Sequence, residues 1–177
     1  MMRLTSEVAA KARKIRLVLM DVDGVMTDGS ILFTGDGNEV KVFHAQDGVG
    51  IKMAQRVGLE VGVITGRKST AVERRCAELG IDEVHQGNWK KRGIFEEILS
   101  RRGIAAEAVA FIGDDLVDLP VLRRVGFSAT VADAQDEIRE ICDVVCDRQG
   151  GRAAVREILE AIIKAQGRWD EVLALYV

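Results

Sequence analysis

The chain has 177 residues, of which 47% are hydrophobic and 30% are charged, so it can bury a sizeable core and is not intrinsically disordered. Its net charge of −3 and its 5% of aromatic residues exclude an extended basic or base-stacking surface for nucleic acid. We expect one domain over residues 1–177.

Strand and helix patterns alternate along the chain, without an internal repeat or a low-complexity linker. A helix at 5–14 precedes an apolar run at 15–20 that is typical of a buried strand. Two short strands flank Gly35-Asp36-Gly37-Asn38, which predicts a hairpin flap at about 30–43. The other strands are predicted at 60–64, 83–85, 108–112, 127–131 and 144–146. The other helices are predicted at 47–57, 69–79, 90–102, 119–125, 135–141 and 152–166.

This alternation predicts an α/β fold, a Rossmann-like parallel sheet with helices on both faces. The flap is too short to form a cap domain with a core of its own. Ligands of such sheets bind beyond the carboxyl ends of the strands. The residues that follow the strands are therefore the candidates for a functional site.

The first strand leads directly into Asp21 and Asp23, two carboxylates that repel each other and favour a cation or a proton. Mg²⁺, which prefers oxygen ligands, would resolve that conflict. The plainer alternative is an Asp-Gly turn that only ends a strand. An EF-hand loop is excluded by Val25 and Met26, and no Gly-Lys-Ser/Thr triplet of a phosphate-binding P-loop occurs.

Polar residues also follow three further strands of the predicted sheet. They are Thr65-Gly66-Arg67, the basic cluster at 90–92, and Gly113-Asp114-Asp115. Each alone has a structural explanation, as a strand-to-turn junction, a solvated helix charge or a helix N-cap. Together, in strand order, they indicate a carboxylate centre that works on phosphate.

These residue types suit phosphoryl transfer through a covalent intermediate. Asp21 can attack phosphorus as a carboxylate, and Asp23 can protonate the leaving oxygen and then deprotonate water. Asp21 and Asp114 can hold Mg²⁺, with the backbone carbonyl of Asp23 as a third candidate ligand. Thr65 and the two amides after it suit a phosphate oxygen, and a lysine after the third strand can offset transition-state charge.

The motifs in strand order resemble those of the haloacid dehalogenase superfamily of phosphatases. They are Asp21-Val22-Asp23-Gly24-Val25-Met26-Thr27-Asp28-Gly29, Ile64-Thr65-Gly66-Arg67, Lys91 and Gly113-Asp114-Asp115-Leu116-Val117-Asp118. The resemblance covers nearly the whole chain and is greatest to the capless, small-chain 3-deoxy-D-manno-octulosonate 8-phosphate phosphatases. It implies the haloacid dehalogenase fold, Mg²⁺ as cofactor, an aspartyl-phosphate intermediate and a place in lipopolysaccharide precursor synthesis.

The resemblance assigns catalytic roles to individual residues. It makes Asp21 the nucleophile, Asp23 the acid/base and Asp114 a Mg²⁺ ligand. Asp21 and Asp23 are metal ligands as well, Asp23 through its carbonyl. Asp115 and Asp118 are expected to support the residues that bind the metal without binding it themselves.

The resemblance also implies a set of substrate contacts. Thr65 and Lys91 are expected to bind phosphate, and Lys91 is preferred to Lys90 because it keeps the family's spacing from Gln86-Gly87. The residues expected to bind the substrate are His44, Asp47, Gly48, Lys52, Gly66, Arg67, Arg75 and Lys91.

Three residues depart from the family pattern. His44 stands where relatives often have Asn, Gln46 where they have a basic residue, and Ala153 where Gly is usual. The catalytic assignments do not depend on these positions. For His44, the alternative to a substrate contact is a loop histidine bonded to the backbone.

Two other functions fit the same residues. The first keeps the chemistry but acts on an acylneuraminate or deaminoneuraminate 9-phosphate, since the same basic residues would bind either sugar's carboxylate. The second is a phosphoacceptor signalling module of the receiver type, which does not need an acid/base such as Asp23. A scaffolding role leaves the acidic cluster without a purpose.

The resemblance implies a homotetramer in which each active site is covered by a neighbouring subunit. The flap and the tail at 169–177 are the segments expected to reach a neighbour. Cys76, Cys142 and Cys146 fit no zinc pattern and are expected to be reduced thiols. The apolar run at 15–20 is too short for a signal or membrane segment, so we expect a cytoplasmic protein with no membrane partner.

Overall fold

The computed structural model describes residue 2 and residues 4–176. In this part of the chain, six strands form a parallel sheet in the order β5-β4-β1-β6-β7-β8. They are β1 (Leu17–Met20), β4 (Glu60–Ile64), β5 (Glu83–His85), β6 (Val109–Ile112), β7 (Phe127–Thr130) and β8 (Val144–Val145). Two more, β2 (Leu32–Phe33) and β3 (Glu39–Val40), form an antiparallel hairpin.

The helices cover both faces of the sheet. They are α1 (Ser6–Ala12), α2 (Ala45–Arg56), α3 (Thr70–Leu79), α4 (Lys91–Arg102), α5 (Leu119–Leu122), α6 (Asp136–Ile141), α7 (Ala154–Ala165) and α8 (Trp169–Leu173). Helices α1, α2 and α7 pack together with α3 against α2, while α4 contacts α5. Right-handed crossovers place these two groups on opposite faces. The predicted α/β fold class is confirmed.

The core is centred on β1, whose four side chains are all fully buried. A parallel sheet covered on both faces favours such continuous apolar strands. Burying each of these side chains contributes roughly 1.5–3 kcal/mol. Helix α7 adds an apolar face, with buried residues at Val155, Ile158, Leu159 and Ile162. The centre of the sheet therefore offers a site a fully buried support.

Strand β1 is also the point at which the order of the sheet reverses. It pairs with β4 on one side and with β6 on the other. The chain runs outward from β1 through β4 to β5, and later through β6 to β8. The crevice beyond such a reversal is where ligands bind in this class of sheet.

The elements differ from the sequence prediction mainly at their ends. Helix α2 begins two residues earlier than predicted, because the His44 ring nitrogen Nδ1 accepts from the Gln46 amide at 3.3 Å and caps the helix. Helix α5 ends at Leu122 instead of residue 125. Its continuation is turned towards β7 by Gly126, whose amide donates to the carbonyls of Ala106 and Val109.

The tail is helical beyond the last predicted helix. Lys164 lies 4.2 Å from the centre of the Trp169 ring and Val172 is fully buried, so α8 packs on the body of the protein. A 3₁₀ turn continues to Tyr176. Val177, the last residue of the predicted tail segment, lies outside the described residues.

The cysteines are all free thiols. Burial raises the pKa of Cys76 to about 11 and that of Cys142 and Cys146 to about 12, which keeps them protonated and unreactive. Within the described ranges, no helix combines the length and the apolar character that crossing a membrane requires.

Candidate active site

The residues at the strand ends are fixed by backbone hydrogen bonds to the neighbouring strands. The Asp21 amide donates to the Ile112 carbonyl of β6 at 2.9 Å, and the Thr65 amide donates to the His85 carbonyl of β5 at 2.9 Å. The Gly113 amide is held in the same way by β7. Three separate parts of the sequence therefore meet beyond the carboxyl ends of the strands.

These strand ends line a cavity of about 290 Å³. Its lining residues are Asp21, Asp23, Gly24, Asp28, Gly29, Thr65, Gly66, Arg67, Trp89, Lys91, Asp114, Asp115, Val117 and Asp133. The cavity thus contains all the residues that were predicted to be catalytic, together with Asp114 and Asp115. It also contains Gly66 and Arg67 from the predicted substrate contacts.

Lys91 lies at the centre of a buried charge cluster. Its side chain is 1% exposed, and its Nζ lies 2.8 Å from Asp21 Oδ2 and 2.6 Å from Asp118 Oδ1. The other oxygen of Asp118 accepts from the amides of Asp114 at 3.0 Å and Asp115 at 3.4 Å. Asp118 therefore fixes both the lysine and the loop that carries Asp114, which fits its predicted supporting role.

Three carboxylates of this cluster can hold a cation. One oxygen atom from each of Asp21, Asp114 and Asp118 lies within 4.8 Å of the others. Asp114 Oδ1 is buried and accepts no hydrogen bond from any described residue. Because the Asp118 oxygens already have partners, Asp21 and Asp114 are the carboxylates best able to bind a hard ion such as Mg²⁺. The carbonyl of Asp23 as a third ligand stays a prediction.

The pKa values of the cluster reflect its burial and its mutual repulsion. Burial, and then the charges of Asp118 and Asp21, raise the pKa of Asp114 to about 8. Burial and the charge of Asp118 raise the pKa of Asp21 to about 6, although Lys91 opposes this shift. Burial would lower the pKa of Lys91, but Asp118 and Asp21 raise it, so the ammonium form persists. A bound cation would reverse both carboxylate shifts.

Gly24 is required by the close approach of two loops. Its φ is +90°, and a Cβ atom built there would lie 2.0 Å from Asp114 Oδ2. On the other side, a Cβ atom at Gly150 would lie 1.8 Å from the Gly24 carbonyl oxygen. A side chain at Gly24 or at Gly150 would therefore clash with the neighbouring loop.

Asp23 is held by a network in which Lys41 and Glu39 were not predicted. Its Oδ1 forms a close ion pair with Lys41 Nζ at the end of the hairpin. Arg67 lies farther away, with Nε 4.0 Å from Asp23 Oδ2, and donates to Glu39 Oε1 at 2.8 Å. Strict alternation of charged and apolar residues at 39–42 was the sequence signal that could have revealed Lys41 and Glu39.

Trp89 is another member of the site that was not predicted. Its side chain is 63% exposed and lines the cavity. A Cβ atom at Gly66 would meet the Trp89 ring at 2.9 Å, so the indole lies flat against that turn. The indole therefore forms a wall of the cavity mouth, beside the amides predicted to bind phosphate.

The predicted substrate residues divide between two cavities. Gly48, Lys52 and Arg75 line a separate cavity of about 460 Å³ between α2, α3 and the C-terminal turn at Tyr176. Arg75 also pairs with Glu78 at 2.9 Å. Within one chain, these three residues do not join Asp21 and its neighbours.

Two further predicted contacts have local roles in the chain. His44 caps α2, which matches the alternative of a histidine bonded to the backbone. Asp47 is 2% exposed, and its Oδ1 accepts from the Arg156 amide in the first turn of α7 at 2.8 Å. Burial raises the pKa of Asp47. Asp47 therefore ties α2 to α7, and a direct contact of either residue with substrate stays a prediction.

Comparison with known proteins decides the family. Residues 81–159 match the haloacid dehalogenase-like hydrolases. The curated 3-deoxy-D-manno-octulosonate 8-phosphate phosphatase KdsC of Escherichia coli K12 is 46% identical over 168 residues, which are 95% of this chain and 89% of that protein. The chain belongs to the haloacid dehalogenase-like hydrolases, in the KdsC family. The resemblance predicted from the motifs is confirmed, and membership of a hydrolase family favours a phosphoric monoester hydrolase over a receiver-type module.

Solved structures of the same family superpose closely on this fold. A probable YrbI family phosphatase from Pseudomonas syringae pv. phaseolica has a TM-score of 0.95 and 41% identity, and the match covers 97% of this chain and 98% of that one. The 3-deoxy-D-manno-octulosonate 8-phosphate phosphatase of Moraxella catarrhalis has a TM-score of 0.95 and 38% identity, covering 98% and 99%. That structure contains magnesium, phosphate and KDO. The acidic cluster of the KdsC-family chain described above fits the same cofactor.

Proposed function

We propose that this chain hydrolyses 3-deoxy-D-manno-octulosonate 8-phosphate to the free sugar acid and phosphate, with Mg²⁺ as cofactor and through an aspartyl-phosphate intermediate. The observation that carries the proposal is the meeting of Asp21, Asp23, Lys91 and Asp114 around one cavity. The chain is also 46% identical, over 168 residues, to a curated phosphatase of that specificity. The reaction would serve lipopolysaccharide precursor synthesis in the cytoplasm.

The chain's own residues would carry the chemical steps. Asp21 attacks phosphorus as Lys91 balances its charge, while Thr65 and the amides after it hold the phosphate oxygens. Asp23 gives a proton to the leaving sugar oxygen and later takes one from the water that cleaves the acyl phosphate. Bound between Asp21 and Asp114, Mg²⁺ would supply the positive charge that lets one anion approach another.

Recognition of the sugar is proposed to depend on basic residues. Arg67 lies in the same cavity as Asp21 and Asp23, where a guanidinium can bind the sugar carboxylate. The complex of the Moraxella catarrhalis relative with KDO supports an eight-carbon sugar acid as the substrate. Two of the remaining basic contacts, Lys52 and Arg75, are proposed to act on the site of another subunit.

A homotetramer with shared active sites would complete this arrangement. The hairpin exposes apolar side chains that a single chain does not cover, with Ile31 and Leu32 50% exposed and Phe33 and Val42 64% exposed. An isolated two-stranded ribbon is at best marginally stable in water. Association through the hairpins would bury this surface and would bring a neighbour's Lys52 and Arg75 within reach of the cavity.

Phosphate release tests the proposal. The purified chain is assayed on 3-deoxy-D-manno-octulosonate 8-phosphate and on an acylneuraminate 9-phosphate, with Mg²⁺ and with chelator. We expect Mg²⁺-dependent release, faster from the eight-carbon substrate, and no release by Asp21→Asn. Faster release from the nine-carbon substrate would transfer the assignment to the alternative phosphatase. Release from neither would refute the proposed specificity.

A further inference from the structure

The hairpin has the opposite polarity to an ordinary surface ribbon. The side chains of Lys41 and Glu39 are only 1% and 13% exposed. Their neighbours Val40 and Val42 are 38% and 64% exposed. Successive side chains of a strand point to opposite faces, so the charged face of this segment points inward and the apolar face outward.

The buried charges form a closed ring of ion pairs, and the side chain of Asp23 is one of its members. Lys41 Nζ pairs closely with Asp23 Oδ1 and lies 3.5 Å from Glu39 Oε1. Glu39 Oε1 in turn accepts from Arg67 Nη2 at 2.8 Å, and Arg67 Nε returns to within 4.0 Å of Asp23 Oδ2. Two acids and two bases alternate in this ring, so its charge is balanced.

The ring leaves one oxygen of Asp23 available. Oδ1 is occupied by the ammonium of Lys41, whereas the 4.0 Å between Oδ2 and Arg67 is beyond hydrogen-bond distance. Burying an ammonium is costly unless it is paired. A lysine that only covered the hairpin would keep its charged end in water, and Lys41 instead places that end on the carboxylate.

We propose that Lys41 is a positioning residue that orients Asp23 and couples the hairpin to acid/base catalysis. The inference rests on the proposed function in one respect, because it takes Asp23 to be the acid/base. As the bond between phosphorus and the leaving oxygen breaks and its electron pair passes to that oxygen, Asp23 Oδ2 delivers the proton. Lys41 keeps Oδ1 fixed throughout, and Glu39 with Arg67 keeps Lys41 in place.

The choice of leaving group separates positioning from general structural support. A sugar alkoxide needs a proton to leave, whereas p-nitrophenolate is stable without one. The ratio kcat/KM reports only steps up to the first irreversible one, which excludes hydrolysis of the acyl phosphate. A residue that acts through Asp23 therefore affects kcat/KM for the sugar phosphate far more than for p-nitrophenyl phosphate.

The test compares Lys41→Met, Lys41→Arg and the matched control Lys14→Met, an exposed lysine at the end of α1, after circular dichroism has shown that each is folded. We expect Lys41→Met to lower kcat/KM by about a hundredfold on the sugar phosphate and by less than about threefold on p-nitrophenyl phosphate. Lys41→Arg should recover part of the loss, and Lys14→Met should match the wild type.

A double-mutant cycle tests independently whether Lys41 acts through Asp23. If Lys41 acts through Asp23, Lys41→Met should cause no further loss in an Asp23→Asn background. Equal losses on both substrates, or additive losses in the double variant, would overturn the proposal. If the wild type hydrolyses p-nitrophenyl phosphate but not the octulosonate phosphate, the proposed specificity fails. Lys41 is then tested in the same way with an alkyl phosphate that the wild type does hydrolyse.

Discussion

Asp114 is the residue whose surroundings most clearly require a cation. Its Oδ1 is buried without a hydrogen-bond donor among the described residues, and it lies beside the carboxylates of Asp21 and Asp118. Lys91 contributes a single ammonium to these three acids. The cluster is therefore undercompensated, and a divalent ion supplies the missing charge.

This imbalance predicts how the stability of the metal-free protein depends on pH. Burial and the neighbouring acids raise the pKa of Asp114 from 3.8 to about 8. Between these values the folded state holds a proton that the unfolded state has lost, so this residue's contribution to stability falls as the pH rises. Asp114→Asn removes that loss, and at pH 8 it should melt at least about 3 °C above the metal-free wild type.

Thermal melts of both proteins across this pH range check the expectation. The difference should shrink towards pH 4 and vanish below it, where Asp114 becomes neutral in the unfolded state as well as in the folded state. Adding Mg²⁺ should raise the melting temperature of the wild type but not that of Asp114→Asn. A variant less stable than the wild type at every pH would show that Asp114 is not under electrostatic strain.

Asp23 is the residue that distinguishes a phosphatase from a stable phosphoacceptor. We expect Asp23→Asn to lower kcat/KM on the sugar phosphate by a factor of about 10² to 10⁴, which is the usual contribution of a positioned general acid. Its circular dichroism should match the wild type, because the side chain is at the edge of the cavity and 20% exposed. Asp82→Asn, at an exposed position outside the cavity, is the control, and comparable loss in both would remove the special role of Asp23.

At the scale of elements, the start of α7 carries a measurable strain. Ala153 has a φ of +70° at the N-cap of α7 and is fully buried. The left-handed conformation costs an alanine roughly 1–2 kcal/mol, whereas glycine adopts it freely but loses roughly 0.5–1 kcal/mol of chain entropy on folding. A glycine at this position, which the family resemblance implies, would relieve this backbone strain.

We expect Ala153→Gly to stabilise the protein by about 0.5–1 kcal/mol. Ala161→Gly in the middle of the same helix is the matched control, and it should destabilise by about 1 kcal/mol because glycine is a poor helix former. Urea unfolding of both variants measures the change in the free energy of unfolding that each substitution causes. Destabilisation by Ala153→Gly would mean that the buried methyl group outweighs the backbone strain.

The elements were predictable wherever local patterns decided them. Strands 60–64 and 83–85 have the predicted bounds, since a glycine lies shortly before and shortly after each segment. Helix α8 was not predicted because its stability comes from tertiary contacts, Lys164 over Trp169 and the burial of Val172. The ring that includes Lys41 was also missed, because it joins residues distant in sequence and because Lys41 and Glu39 look like ordinary surface charges.

In the molecule as a whole, the predicted site residues are divided between two cavities of a single chain. The carboxylate cluster was predictable, because parallel strands bring Asp21, Thr65 and Asp114 to one edge of the sheet. The location of Lys52 and Arg75 in a second cavity could not be read from the sequence, since it depends on how α2 and α3 pack. Assembly is the simplest way to unite the two sets.

A substitution on the exposed apolar face of the hairpin should therefore prevent the association of subunits without unfolding the single chain. Phe33→Asp places a charge on a side chain that is 64% exposed, so the isolated fold should be unchanged. We expect sedimentation to show smaller species, with at least about a tenfold loss of sugar-phosphate turnover per site. Val145→Asp, at an exposed valine of β8, should leave both unchanged. A fully active monomeric Phe33→Asp variant would contradict shared active sites.

We propose that separate strands assemble a divalent-cation site at which Asp21 is transiently phosphorylated. Treating Asp23→Asn with radiolabelled p-nitrophenyl phosphate, quenching in acid and mapping the labelled peptide would detect this intermediate. A good leaving group forms the acyl phosphate without an acid, while its hydrolysis lacks a base, so label should accumulate. We predict Mg²⁺-dependent label on Asp21 and none when Asp114→Asn is added. Label that forms without Mg²⁺, or on another residue, would rule out a Mg²⁺-dependent phosphorylation of Asp21.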